Sequence, residues 1–269
     1  MASIKNITDY LEAIAPLHLQ EGYDNAGLIV GNPDTEVRGV LTSLDCLEAT
    51  VAEAVARDCN LIVAHHPIVF RGLKRLNGAN YVERTVIEAI KRDVAIYAIH
   101  TNLDNVFEGV NKRIAETLDL RKYKILQPKG EDPNIGSGMI GELPHEMAAS
   151  EFLAYLSERM QTEVVRHTAP LEGPISRVAV CGGSGGFTLG AAKRAGAQVL
   201  VTADYKYHEF FDADGQIMIC DIGHYESEQF TTQLLAEILR NKFSTFAVLC
   251  TERNTNPVRY YKHSSEKSS

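Results

Sequence analysis

Apolar and polar positions alternate along the chain in two successive rounds. In the first, short β-branched runs predict strands in RGVLTSLD, NLIVAHH and VAIYAIHTNLD, and between them CLEATVAEAVARD and YVERTVIEAIKRD repeat apolar residues at helical spacing. GVNKRIAETLDL adds a further helix. The second round begins at Arg177, where RVAVCGG, GGFTLGAAKRAG, AQVLVTAD, YKYHEFFDADG and QIMICDIGH alternate in the same way before YESEQFTTQLLAEILRNKF, which predicts one long helix. Strands separated by helices imply parallel pairing with crossover connections. Between the rounds, YKILQP to IGSGMIGEL reads as antiparallel strands around the loop QPKGEDPNIGSG, and HEMAASEFLAYLSERM as an amphipathic helix. The expected fold is α/β, with two related lobes of mostly parallel sheet spanning 1–126 and 127–250. Residues 251–269 form a C-terminal segment whose polar end, KHSSEKSS, is expected to be disordered.

Composition narrows the class. A chain of 269 residues with 45% hydrophobic content can fill a large core, and a formal net charge of -8 repels nucleic-acid backbones and anionic membranes. The five cysteines, Cys46, Cys59, Cys181, Cys220 and Cys250, contain no CxxC pair, so they read as reduced and mostly buried. MASIKNITDYLEAIAP lacks the basic end and apolar stretch of a targeting segment, and no apolar run is long enough to span a bilayer, so a cytoplasmic location is expected.

Ligands of open α/β sheets collect beyond the carboxyl ends of strands, and the histidines and carboxylates of this chain collect there too. His65 and His66 end one strand, Asp104 lies in HTNLDN after the next, and His224 and Glu228 stand four apart in GHYESE. Adjacent histidines on a regular strand face opposite ways; Pro67 breaks the ladder at once, so both rings can turn to one side. Singly, a strand-end histidine is more often a hydrogen-bonded structural residue, and a His/Glu pair at helical spacing a solvated face. Together, three histidines and two carboxylates exceed the needs of one tetrahedral ion and suit two ions with a shared carboxylate. Without thiolates, zinc, iron and manganese remain open. His100 reads as an additional ligand or, in preference, a group fixing the Asp104 loop, while His18, His145, His167 and His263 read as structural or surface groups.

The motifs GYDNAGLIVG, AHHPIVF, HTNLDN, TADYKYHE and DIGHYESE together resemble the NIF-like family, also described as GTP cyclohydrolase I type 2-like proteins. That resemblance implies a dinuclear centre of two divalent metal ions per subunit on His65, His66, Asp104, His224 and Glu228, between the lobes, within a ring-shaped homohexamer. Tyr23 stands where many members have Trp, Ala203 where Gly is frequent and Glu209 where Asp is frequent, and a long central insertion of some members is absent.

Other groups carry two readings. Asp45 can cap a helix or serve catalysis, Asp24 and Asn25 can make a turn or join the site, and CGGSGG can cradle phosphate or form an ordinary strand-to-helix turn. TNPVRYY can bring Arg259 or Tyr260 to a neighbour's rim. The expected activity is dinuclear-metal-dependent hydrolysis of a nucleotide or phosphoester, with His208 or Glu209 assisting proton transfer. The resemblance extends this to water attack on the purine C8 of GTP. The alternative is a metal-handling module or a scaffold for a protein partner, without turnover.

Overall fold

The computed structural model describes residues 2–261, so KHSSEKSS and His263 lie outside the described residues. The first part of the chain forms α1 (Ile4–Ile14), β1 (Gly27–Val30), β2 (Gly39–Ser43), α2 (Glu48–Ala56), β3 (Leu61–Ala64), α3 (Tyr81–Lys91), β4 (Ala95–Ala98), a single turn α4 (Thr101–Asp104) and α5 (Val110–Thr117). There follow β5 (Arg121–Pro128), β6 (Gly136–Met147), α6 (Ala149–Arg159), β7 (Arg166–His167), β8 (Ile175–Val180), α7 (Leu189–Arg194) and β9 (Val199–Thr202). The last elements are β10 (Met218–Asp221), α8 (His224–Glu228), α9 (Thr231–Lys242) and β11 (Ala247–Cys250). YKYHEFFDADG forms a 3-10 helix over Tyr207–Ala213, and the expected long C-terminal helix is interrupted at Gln229 and Phe230.

Two sheets result. The first has the order β1-β4-β3-β2-β11, parallel except for the edge strand β1, and the second has the order β5-β6-β8-β9-β10-β7, with β8, β9 and β10 parallel. The chain is therefore shared out differently from a division at 126 and 250. β5 opens the second sheet before residue 126, and β11 returns to pair with β2 in the first.

Period-two alternation decides which layer each strand residue joins. Leu61 and Val63 of β3 face a large cluster that also takes residues of α1, α5, α6, α9 and the second sheet, while Ile62 and Ala64 face a separate layer under α2 and α3. A third cluster packs α7 on the far face of the second sheet. The helices α2 and α3 end in the same way, with Asp58 and Asp93 in the left-handed region before the next strand, a conformation that Asp tolerates better than most residues. These tight returns bring β2, β3 and β4 to a common edge.

Leu235 on α9 is fully buried in the cluster that joins both sheets. Leu235→Ala should lower unfolding free energy by about 2–5 kcal/mol. Urea unfolding followed by circular dichroism and by tyrosine fluorescence should shift as one coincident transition, because a single core serves both sheets.

Candidate metal centre

The carboxyl edges of both sheets supply the site. Beyond β3, the backbone N–H groups of His65 and His66 still donate to Ser43 and Leu44 across the strand pair, at 3.1 and 2.9 Å. Their rings nevertheless lie 4.9 Å apart at 44°, on the same side of the chain. From the second sheet, β10 runs into Gly223 at φ 92°, and α8 begins at once with His224 and carries Glu228 one turn later.

Glu228 is the centre of the cluster. Only 3% of its side chain is exposed, and its Oε2 lies 3.0 Å from His66 Nε2 and 3.1 Å from His224 Nε2. Its Oε1 faces His65 Nε2 at 3.9 Å, and that nitrogen stands 3.6 Å from Asp104 Oδ1. These last separations are too long for hydrogen bonds and short enough for one cation to touch all three atoms. His65 Nε2 and Asp104 Oδ1 are also buried without a hydrogen-bond partner. Orphaned polar atoms are costly in a folded interior, and two that both offer lone pairs to one spot fit a bound cation.

Each imidazole is held from behind. His65 Nδ1 donates to the Ile99 carbonyl at 2.8 Å, His66 Nδ1 to Asp45 at 2.8 Å and His224 Nδ1 to Asp204 at 2.7 Å. The carbonyl partner fixes the His65 tautomer with its Nε2 lone pair turned inward. Among the described residues, three groups have ligand atoms within 4.8 Å of one another and could hold a metal ion: His66, His224 and Glu228; His65, Asp104 and Glu228; and His65, His66 and His100. All five residues expected as ligands meet here.

Protons stand in for cations in this arrangement. Burial opposes charge on His66, but its bonds to Asp45 and Glu228 outweigh that and lift it to about 9. Burial opposes His224 as well, and Asp204 and Glu228 lift it to about 11. Burial likewise disfavours a charged Glu228, yet His224 and His66 donate to it and hold it well below the usual carboxylate range. Asp104 goes the other way, raised by burial and by the neighbouring charge of Glu228.

Several groups with two sequence readings are resolved by their contacts. Asp45 does not cap α2, whose N-cap is Leu47; its carboxylate joins His66 to the Thr255 hydroxyl, 2.6 Å away. Asp24 both turns the chain, accepting from Asn25 N at 2.7 Å, and holds His100 Nδ1 at 2.7 Å. Asn25 donates to the Val69 carbonyl at 2.6 Å. The His100 carbonyl accepts from the N–H of Leu103 and Asp104, so its backbone supports the Asp104 turn while its ring stands 5.2 Å from His65.

The glycine run is a packing turn. Gly182 N donates to Asn111, Gly183 N to Ser227 and Gly185 N to Thr202, at 2.9–3.0 Å, so these amides already have partners. At Gly183, with φ +59°, a Cβ would sit 2.5 Å from Glu228 Oε1. Glycine is needed there to let the backbone pass the buried carboxylate.

His208 and Glu209 lie on the 3-10 helix after β9. The His208 ring packs against Tyr207 and Phe211, and Glu209 accepts from the Lys206 backbone at 2.9 Å. No hydrogen bond joins either to the cluster among the described residues. Tyr260 lines a cavity of about 470 Å³ beside His66 and His224 of its own chain, and Arg259 donates to the Val258 carbonyl at 3.0 Å. The residues that sequence reasoning passed over are Asp204 and Thr255. Asp204 lies two residues beyond β9 with φ +61°, past a strand end as the ligands are, and that position was the available signal.

The fold and the cluster define a mixed α/β protein of two sheets whose strand ends gather histidine and carboxylate groups able to hold metal. The chain belongs to the Duf34/NIF3 (NGG1p interacting factor 3) family, whose model matches residues 2–257. It is 34% identical over 226 residues to a Clostridium perfringens protein named GTP cyclohydrolase 1 type 2 homolog, covering 84% of this chain and 86% of that one. A Lactococcus lactis protein of the same name is 32% identical over 262 residues, covering 93% and 98%. The crystal structure of a Staphylococcus aureus hypothetical protein aligns with TM-score 0.90 at 28% identity, covering 96% of this chain and 99% of that one. Among the described residues no helix is long and apolar enough to cross a membrane, and the five cysteines are free.

Two outcomes follow from the geometry. Asp45→Ala removes the acceptor that aims His66 and should weaken metal binding by about 10–100-fold, whereas Asp45→Asn keeps an oxygen acceptor and should retain more of it. Competition titrations with a chromophoric chelator compare the two. Because His66 and His224 are raised above neutrality, metal must displace their protons, so affinity should climb as pH rises through about 9, the His66 value, and on towards about 11, the His224 value. Calorimetry at pH 7 in buffers of different ionisation enthalpy should register net proton release; none would contradict the charge assignment.

Proposed function

We propose that this protein is a dinuclear-metal-dependent hydrolase acting on a nucleotide or phosphoester, with GTP the substrate suggested by the name its relatives carry. The observation that carries the reading is the two-sided placement of Glu228, one oxygen turned to His66 and His224 and the other towards His65 and Asp104. His66, His224 and Glu228 would hold one ion, and His65, Asp104 and Glu228 the other. When bound, a pair of divalent cations activates water and stabilises negative charge developing on a reacting oxygen.

The chain's own residues supply orientation and proton handling. Asp45, Asp204 and the Ile99 carbonyl keep three imidazoles aimed at the centre, so little reorganisation is required during reaction. We assign proton transfer to His100 in preference to His208 or Glu209. Its ring lies 5.2 and 5.3 Å from those of His65 and His66, and Asp24 secures its Nδ1. Burial works against the charge of Asp24, but the bonds from His100 and Thr101 outweigh it and keep the carboxyl at about 2, so it remains a carboxylate able to steady an imidazolium.

The test begins with elemental analysis of protein purified without chelators, followed by turnover assays on GTP and a phosphoester panel with the native ion. Two ions per chain and metal-dependent turnover are expected. Glu228→Gln should lower metal content and abolish turnover while leaving the circular dichroism spectrum unchanged. Weak, exchangeable metal with no turnover on any substrate would favour metal handling and overturn the hydrolase reading.

A further inference from the structure

Two cavities border the cluster, and their walls differ in kind. In the larger, beside His66 and His224, the carboxylates are already committed: Asp45 to His66, Asp204 to His224, Asp221 to Arg166 and Glu226 to Asn256. The second cavity, of about 320 Å³, reaches the cluster at Asp104, whose Oδ1 is buried and unpartnered. Tyr23 and Phe187 line it with large aromatic surfaces that are 66% and 61% exposed. Tyr23 stands 6.1 Å from Phe70, and Phe70 stands 6.1 Å from His100, so an aromatic ledge runs from this cavity to the cluster. Gln127 of β5 also lines the cavity, and its carboxamide makes no hydrogen bond among the described residues.

Exposed aromatic faces beside a polar cavity are suited to stacking on a flat ring, and they tolerate different rings because every such ring has a π-face. A carboxamide presents a donor and an acceptor in one plane, and so matches a ring edge carrying the complementary pair. Neither feature supplies the positive charge that a bare phosphate calls for.

We propose that the Asp104-side cavity binds a planar heteroaromatic ring, with Tyr23 and Phe187 stacking on it and Gln127 pairing with its donor–acceptor edge. This deepens the hydrolase reading, on which it rests for the ring's role as part of the substrate. It places the ring on the Asp104 side of the cluster and leaves the larger cavity to the remainder of the molecule.

Equilibrium dialysis of the metal-loaded protein with guanosine tests this, with ribose 5-phosphate and tripolyphosphate as ringless controls. Guanosine should bind, and Tyr23→Ala, Phe187→Ala and Gln127→Leu should each weaken it by about tenfold with metal content unchanged. Absence of guanosine binding, or weakening by fewer than two of the three substitutions, would overturn the proposal. Phosphoester turnover without guanosine binding would remove this site and leave hydrolysis standing. Guanosine binding with the expected sensitivity, but no turnover of any substrate, would keep the site and remove hydrolysis.

Discussion

A carboxylate withdrawn from water needs positive charge beside it, and Glu228 imposes that requirement on everything around it. In the ion-free chain, protons on His66 and His224 meet it, which is why both imidazoles are pushed well above their ordinary value. Asp104, close to the same charge but without such donors, is pushed towards its neutral form. The cluster therefore contains one firmly ionised carboxylate and one reluctant one, and the difference lies in which nitrogens reach them. Cations would relieve both conditions at once, replacing protons on the first side and satisfying the orphaned pair on the second.

Packing makes that charge pattern possible. The strands β2, β3 and β4 are buried on both faces, one face on the cluster shared with the second sheet and the other beneath α2 and α3. Polar groups are thus confined to the strand ends, where the ladder stops and rings can turn. Glycine at 183 lets the second sheet's first crossover turn pass against Glu228, and Ser227 ties that turn to α8. Each sheet orients its own imidazoles, through Asp45 and the Ile99 carbonyl on one side and Asp204 on the other, and Glu228 joins the two sets at His66.

Much of this was legible in the sequence because its signals are local. The alternation of β-branched runs with helical periods located most of the parallel strands, and Pro67 explained how adjacent histidines converge. The five expected ligands were readable as polar residues at the ends of apolar runs. What escaped depends on contacts between distant residues. Nothing in AVLC announces that β11 will join the first sheet, since pairing with Gly39–Ser43 is a long-range choice. Asp45 resembled a helix cap because the spacing to α2 is right; its partner, His66, is set by β2 and β3 lying side by side. Asp204 and Thr255 support the site through single hydrogen bonds, which leave no periodic trace. The glycine run shows the converse case, a familiar phosphate-loop composition in which the Gly182, Gly183 and Gly185 amides are already engaged.

The return of the chain to its first sheet has a consequence for biosynthesis. Thr255 bonds Asp45 across 210 positions of sequence, and β11 completes the sheet that carries both strand-end histidines. A ribosome emits His65 and His66 long before it emits their supporting edge, His224 or Glu228. During translation the exposed imidazoles lack the carboxylate that later gathers them, so a stray ion meets only a weak, incomplete ligand set. Any ion the cluster takes would have to wait until Glu228 has been made and β11 has reached its place beside β2.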